Sequence, residues 1–188
     1  MDLIVKDFDK IISESKEGTE RVKNIIQSLK DFSHRVKGEL EMADINKGIE
    51  STLNIAWNEL KYKASVTKRY GTLPEIECYP QQLNQVFMNL LVNAAQAIKN
   101  QGEIFVITYQ MGNNVVVEIS DTGVGIPKET LKRIFEPFFT TKEVGKGTGL
   151  GLSVVYGIIQ KHKGRIEVES EVNKGSTFRV ILPIKQSS

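Results

Sequence analysis

Two asparagines four residues apart, one aspartate ahead of a glycine pair, and a run of alternating glycines are the groups in this sequence that could do chemistry. Asn89 and Asn93 lie in the stretch 85–98, Q-V-F-M-N-L-L-V-N-A-A-Q-A-I. At helical spacing, residues i and i+4 project together, so the two amides share a face. Amide oxygens are neutral, hard donors, suited to a Mg2+ ion already largely balanced by triphosphate oxygens and water. The same stripe continues through Gln82, Gln85 and Gln96, and a solvated polar face is the alternative reading.

Asp121 opens the run D-T-G-V-G-I at 121–126. On a strand over 115–120, Val115, Val117 and Ile119 take one face, and Asp121 shares their parity, so it points inward at the strand's end. A carboxylate there must find a donor, and an exocyclic amine such as adenine N6 would satisfy it; Asp-Thr-Gly is equally ordinary Asx-turn chemistry. Gly123 and Gly125 leave room for a flat ring. Gly145, Gly147, Gly149 and Gly151 then alternate just before a helix expected over 150–163. Open backbone N–H groups and the positive end of a helix favour phosphate, with Lys142 and Lys146 near enough in sequence to add charge. Between the clusters, few core anchors are expected, and the segment reads as a lid over about 126–150. The spacing matches neither G-x-x-x-x-G-K-[ST] nor a strand-fed G-x-G-x-x-G, so both common nucleotide motifs fail.

These groups need a scaffold. A helix over 80–99, with Pro80 in its first turn, presents Leu83, Val86, Phe87, Leu90, Leu91, Ala94 and Ile98 as an apolar face. Another is expected over 46–62, capped by Asn46, followed by strands at 65–70 and 76–79. Hairpins are expected at 102–110 with 115–120, and at 165–171 with 177–184. Strands joined by short turns are antiparallel, so the fold expected is α/β: a two-layer sandwich of a mixed, mostly antiparallel sheet and three main helices over 39–188. Before it, residues 4–36 place apolar or small residues at heptad positions, the pattern of a long helix packing against another. Ser15 and Gly18 weaken that seam, and a plain exposed helix is the alternative.

Composition narrows the partners. With 40% hydrophobic and 26% charged residues in 188, the chain is ordinarily globular. A net charge of +2 without a basic stripe argues against nucleic acid. No apolar run approaches the ~20 residues of a membrane span, so no direct membrane contact is expected from this piece, with any anchor left to a longer parent. One cysteine, Cys78, allows no intramolecular disulfide, which fits a reducing, cytoplasmic compartment and a structural thiol.

The motifs together resemble the histidine kinase branch of the superfamily shared with DNA gyrase B, MutL and a heat-shock chaperone. Residues 85–98 resemble its asparagine box, 121–126 its first glycine box, 135–142 its phenylalanine box, 145–151 its second glycine box and 175–178 its closing glycine-threonine strand. The resemblance covers about 39–185 and implies the Bergerat-type ATP-binding fold with ATP and Mg2+. It implies Asn93 as principal metal ligand with Asn89 assisting, Asp121 and Thr177 at the adenine, and the second glycine cluster at the phosphates. The site it implies comprises Asn89 and Lys142 as catalytic groups, and Asn93, Asp121, Gly123, Gly125, Ile126, Phe138, Lys146, Gly147, Thr148, Gly149, Leu150, Gly151, Leu152 and Thr177 around the nucleotide.

ATP-hydrolysing relatives carry a glutamate at the position of Asn89. An amide cannot act as that base, so transfer to a protein nucleophile is expected over hydrolysis. Gln96 stands where many relatives have lysine, and the glutamine-alanine pair is similar to the nitrogen-regulation type of sensor kinase. Neither His34 nor His162 matches the acceptor pattern. The resemblance therefore implies that residues 1–38 are the second helix of a dimerisation bundle, with the acceptor histidine upstream of Met1. A homodimer through that bundle and a response regulator are the implied partners. A nucleotide-gated interaction module and an anti-sigma-type serine kinase are the alternatives.

Overall fold

The computed structural model describes residues 12, 15, 18, 19, 39–142 and 147–186. The expectations for the helix at 4–36, the bundle assignment of 1–38, His34, Gly145 and Lys146 lie outside the described residues, apart from Ile12, Ser15, Gly18 and Thr19, which are helical. The elements are β1 (Glu41–Ala43), α1 (Ile45–Leu60), β2 (Ala64–Tyr70), β3 (Ile76–Cys78), α2 (Pro80–Ala97), β4 (Gly102–Met111), β5 (Asn114–Asp121), α3 (Lys128–Leu131), α4 (Gly151–Lys161), β6 (Arg165–Glu171) and β7 (Gly175–Pro183).

A five-stranded sheet runs β2-β4-β5-β7-β6. Strand β2 is parallel to β4, and the other pairs are antiparallel. The parallel pair needs a long crossover, and α2 lies within it. The mixed, mostly antiparallel sheet and three main helices are thus as expected. The expectation did not include β1, three residues without apolar alternation, which takes β3 out of the main sheet into a separate two-stranded pair.

Helix α1 begins at Asp44, whose side chain accepts from Lys47 N–H at 3.2 Å. Asn46, expected as that cap, points inward instead: its Nδ2 donates to Gly71 O at 3.1 Å and its Oδ1 accepts from Thr108 Oγ1 at 2.8 Å, which ties α1 to β4. Pro80 occupies the first turn of α2, where its missing N–H costs nothing. The expected apolar face of α2 is entirely buried, and Phe87 and Leu91 meet no solvent at all. Each such side chain contributes roughly 1.5–3 kcal/mol through burial, so α2 is the spine of the core. Helices α1 and α4 flank it on the same side of the sheet. Cys78 is fully buried, and burial, with Glu41 nearby, pushes its thiol pKa up to about 11, as befits a structural residue.

Candidate functional site

The face of α2 opposite its apolar stripe forms one wall of a cavity of about 660 Å3. That lies within the roughly 300–1,000 Å3 of small-molecule sites. Gln85, Asn89, Asn93 and Gln96 line it together. Gln82, the first amide of the same stripe, is buried away from the cavity, and its Oε1 has no hydrogen-bond partner among the described residues. Asn89 Nδ2 donates to Gly151 O at 3.3 Å, which leaves the Asn89 oxygen for another partner. A Cβ on Gly151 would lie 3.9 Å from both Asn89 Oδ1 and Asn93 Nδ2, so the start of α4 faces the two amides directly.

The opposing wall is the loop 147–150 and the first turn of α4. Among the described residues no side chain caps that helix, so the first N–H groups of an 11-residue helix meet the cavity with their partial positive charge. Gly147, Thr148, Gly149, Leu150, Gly151 and Leu152 all line the cavity. Gly149 has φ +68°, and a Cβ there would lie 2.3 Å from the Phe138 carbonyl carbon. Gly125 has φ +69°, and a Cβ would lie 2.1 Å from Glu171 O. Both glycines are required by close approach of the chain to itself, a stricter demand than the ring clearance expected of Gly125 or the open N–H expected of Gly149.

Asp121 ends β5 at the floor, 7% exposed, with its side chain on the helix-facing side as parity requires. Its Oδ1 accepts from Gly123 N–H at 2.8 Å, so the Asx turn and the inward carboxylate are both realised. Burial raises its pKa above the ordinary carboxylate value, against the opposing pull of the Gly123 and Ser176 N–H groups. Gly125 and Ile126 also line the cavity.

Three expected residues are not brought to the wall. Gly123 is buried with its back to Ala97, where a Cβ would approach within 2.7 Å. Phe138 is 65% exposed with φ +66°, and its neighbour Phe139 lines the cavity instead. Thr177 pairs with Ser120 and its Oγ1 meets Ser120 Oγ at 2.9 Å, on the sheet face away from the helices. Ser176, opposite Asp121 in the register, is the residue of β7 that lines the site with Phe178. Applying the parity of β5 to β7 would have found Ser176, had the register been known.

Lys142 reaches in from the loop side. Its Nζ donates to Asn93 Oδ1 at 3.4 Å and to Gln96 Oε1. Loss of water around the ammonium holds its pKa below the ordinary lysine value. A Mg2+ ion fits this donor set: two neutral amide oxygens on one helix face, one of them on an amide whose NH2 is already engaged. An anionic ligand fits the rest, with helix N–H groups and, among the described residues, the Lys142 ammonium on the loop side. His162 lies outside the cavity, fully buried, with Nδ1 donating to Ile158 O at 2.8 Å and Nε2 accepting from Tyr79 N–H at 3.0 Å.

The family model described as "Histidine kinase-, DNA gyrase B-, and HSP90-like ATPase" matches residues 78–186. Sporulation kinase E of Bacillus subtilis (strain 168) is 46% identical over 117 residues, 62% of this chain and 16% of that protein. Sensor histidine kinase ZraS of Escherichia coli (strain K12) is 37% identical over 168 residues, 88% of this chain and 36% of that protein. The chain thus spans 16–36% of the length of these curated relatives. Among solved structures, the nucleotide-free catalytic domain of histidine kinase ThkA superposes with TM-score 0.71 at 30% identity, over 79% of this chain and 97% of that one. ThkA in complex with response regulator protein TrrA gives TM-score 0.76 at 26% identity, over 93% of this chain and 51% of that one.

Proposed function

This chain belongs to the histidine kinase-, DNA gyrase B- and HSP90-like ATPase family, on its histidine kinase branch, and from that premise we propose that it is the catalytic region of a sensor histidine kinase. It transfers the γ-phosphoryl group of ATP to a histidine on a dimeric helical bundle, for relay to a response regulator. The observation that carries this reading is the facing of two α2 amides and an uncapped α4 N-terminus across one cavity whose floor holds Asp121.

The adenine end lies at Asp121. With Oδ1 already bound to Gly123 N–H, the remaining oxygen accepts from the exocyclic amine, and its burial makes that acceptor selective against rings lacking a donor there. The phosphates lie along 147–152, where backbone N–H groups and the helix end offset negative charge as it shifts between bridging and terminal oxygens. Asn93, with Asn89 beside it, would hold Mg2+, which when bound would supply charge neutralisation to the triphosphate. Lys142 adds a further cation on the same side.

Asn89 decides the fate of the phosphoryl group. Its amide can orient and coordinate but cannot take a proton from water, so Asn89 does not supply the base that hydrolysis needs. The favoured nucleophile is one that attacks without giving up a proton to a base, as a neutral imidazole nitrogen does.

The test is incubation with γ-labelled ATP and a bundle protein bearing the acceptor histidine. The expected product is acid-labile, base-stable phosphate on that histidine. Tight MgATP binding with release of free phosphate and no labelled histidine sinks the kinase reading and favours a nucleotide-gated interaction module.

A further inference from the structure

Resting on that reading of the site, we propose that Lys142 and the metal ion compete for one oxygen, Oδ1 of Asn93, and that Gln96 is the positioning residue that sets the balance between them. Asn93 and Gln96 are i and i+3 on α2, so their oxygens point the same way from adjacent turns. The Lys142 ammonium sits across both, with Asn93 Oδ1 at 3.4 Å and Gln96 Oε1 closer.

The approach of Lys142 is prepared on the loop side. Its backbone N–H donates to Thr140 Oγ1 at 3.2 Å, and its stem passes Gly147, where a Cβ would lie 3.1 Å from Lys142 Cδ. The loop thus steers the ammonium toward α2 rather than into solvent, at the cost of some hydration.

A lysine at 96 would repel this ammonium; the glutamine accepts from it. One amide oxygen cannot serve two cations at contact distance without strong repulsion, so loading the metal at Asn93 obliges Lys142 to give up that contact. Gln96, which keeps the ammonium beside Asn93 in the free protein, therefore raises the metal concentration needed to load the site. In this role it acts through Lys142.

The experiment measures binding of the β,γ-imido analogue of ATP by calorimetry, first with EDTA and then across a Mg2+ series. Wild type is expected to bind more tightly as Mg2+ rises. In Gln96→Leu the Mg2+ midpoint of that tightening should fall by roughly two- to fivefold, the size of one partly exposed charged contact. Lys142→Met should lower the midpoint similarly, and Gln96→Leu added to Lys142→Met should change it no further. A Gln96→Leu midpoint equal to wild type, or a shift that persists in the Lys142→Met background, overturns the competition while leaving the nucleotide site standing. Wild-type binding that ignores Mg2+ overturns it too, and a wild type that binds no nucleotide overturns both this inference and the reading beneath it.

Discussion

His162 and Asp121 are both buried and titratable, and the two regions around them are finished in opposite ways. At His162 every polar atom of the ring is used: Nδ1 donates to Ile158 O, and Nε2 accepts from the N–H of Tyr79, which begins α2. The Tyr79 ring packs edge-on with centroids 5.5 Å apart, and Gln186 Nε2 donates to the His162 carbonyl at 3.0 Å. The clasp joins the end of α4, the start of α2 and the C-terminal segment, and it needs nothing more. At Asp121 two N–H groups engage the carboxylate, but no cation pairs with it among the described residues, and burial disfavours its charge. A closed polar cluster is structure. A buried charge left without its counterpart at the floor of a cavity is a cost to the fold, kept where a ligand completes it.

The sharpest way to break this contrast is Asp121→Asn. The Gly123 N–H keeps an acceptor, while the oxygen facing the cavity is replaced by an NH2 donor that meets the adenine amine head-on. Nucleotide affinity should fall about 100-fold, or ~2.7 kcal/mol. The urea midpoint should change little, because loss of the desolvated charge offsets the weaker acceptor offered to the Gly123 and Ser176 N–H groups. Loss of stability in step with loss of binding would make Asp121 another structural group.

His162→Phe is the converse. A ring of similar size fills the space and leaves the Tyr79 N–H without its acceptor, which costs roughly 1–3 kcal/mol of stability. Nucleotide affinity should not move, since His162 lies outside the cavity. Calorimetry and denaturation on the same sample read both. A binding defect at full stability would join the two regions that the comparison separates.

How far each region was legible in the sequence follows from the range of its interactions. The two faces of α2 were readable because a period of 3.6 over 18 residues leaves little choice. The inward aim of Asp121 was readable from period 2 along β5 alone. Thr177 was not, because its face depends on the β5–β7 register, in which Asp121 meets Ser176 and Thr177 meets Ser120. Phe138 and Phe139 belong to a turn region with no period, so which ring enters the cavity is set by φ +66° at Phe138, a backbone state no pattern announces. Gln82 shares the stripe of Asn89, but the cavity wall covers only the later turns of α2. The His162 clasp spans 83 positions to Tyr79, so the sequence could offer only the local contact to a helix-end carbonyl.

A smaller effect sharpens the cavity side. Asn93→Ala should weaken nucleotide binding about tenfold in Mg2+, or ~1.4 kcal/mol, and little in EDTA. The amide serves the ion, whereas Asp121 serves the base, so only the first loss should vanish with the metal. Equal losses in both buffers would mean that Asn93 holds the fold of the wall or contacts the nucleotide directly.

The smallest effect is in pH, and the two regions carry opposite signs. Burial holds the folded pKa of His162 below its ordinary 6.5, against the pull of Ile158 O and with help from Lys161. Above 6.5 the imidazole is neutral in both states, and its contribution is fully present. As pH falls below 6.5 the unfolded chain takes up a proton that the clasp excludes, because Nε2 must stay an acceptor for Tyr79 N–H, and stability drains until the folded pKa is passed. Asp121 runs the other way: its folded pKa is raised above 3.8, so the folded state binds the proton more tightly and acid relieves its cost as pH falls through the folded pKa. Between pH 7.5 and 5.5 wild type should lose on the order of 1 kcal/mol from His162. His162→Phe should lose correspondingly less over the same interval, and urea midpoints at the two pH values read the difference. Identical pH slopes in the two proteins would place the proton-linked group elsewhere and leave the clasp as packing alone.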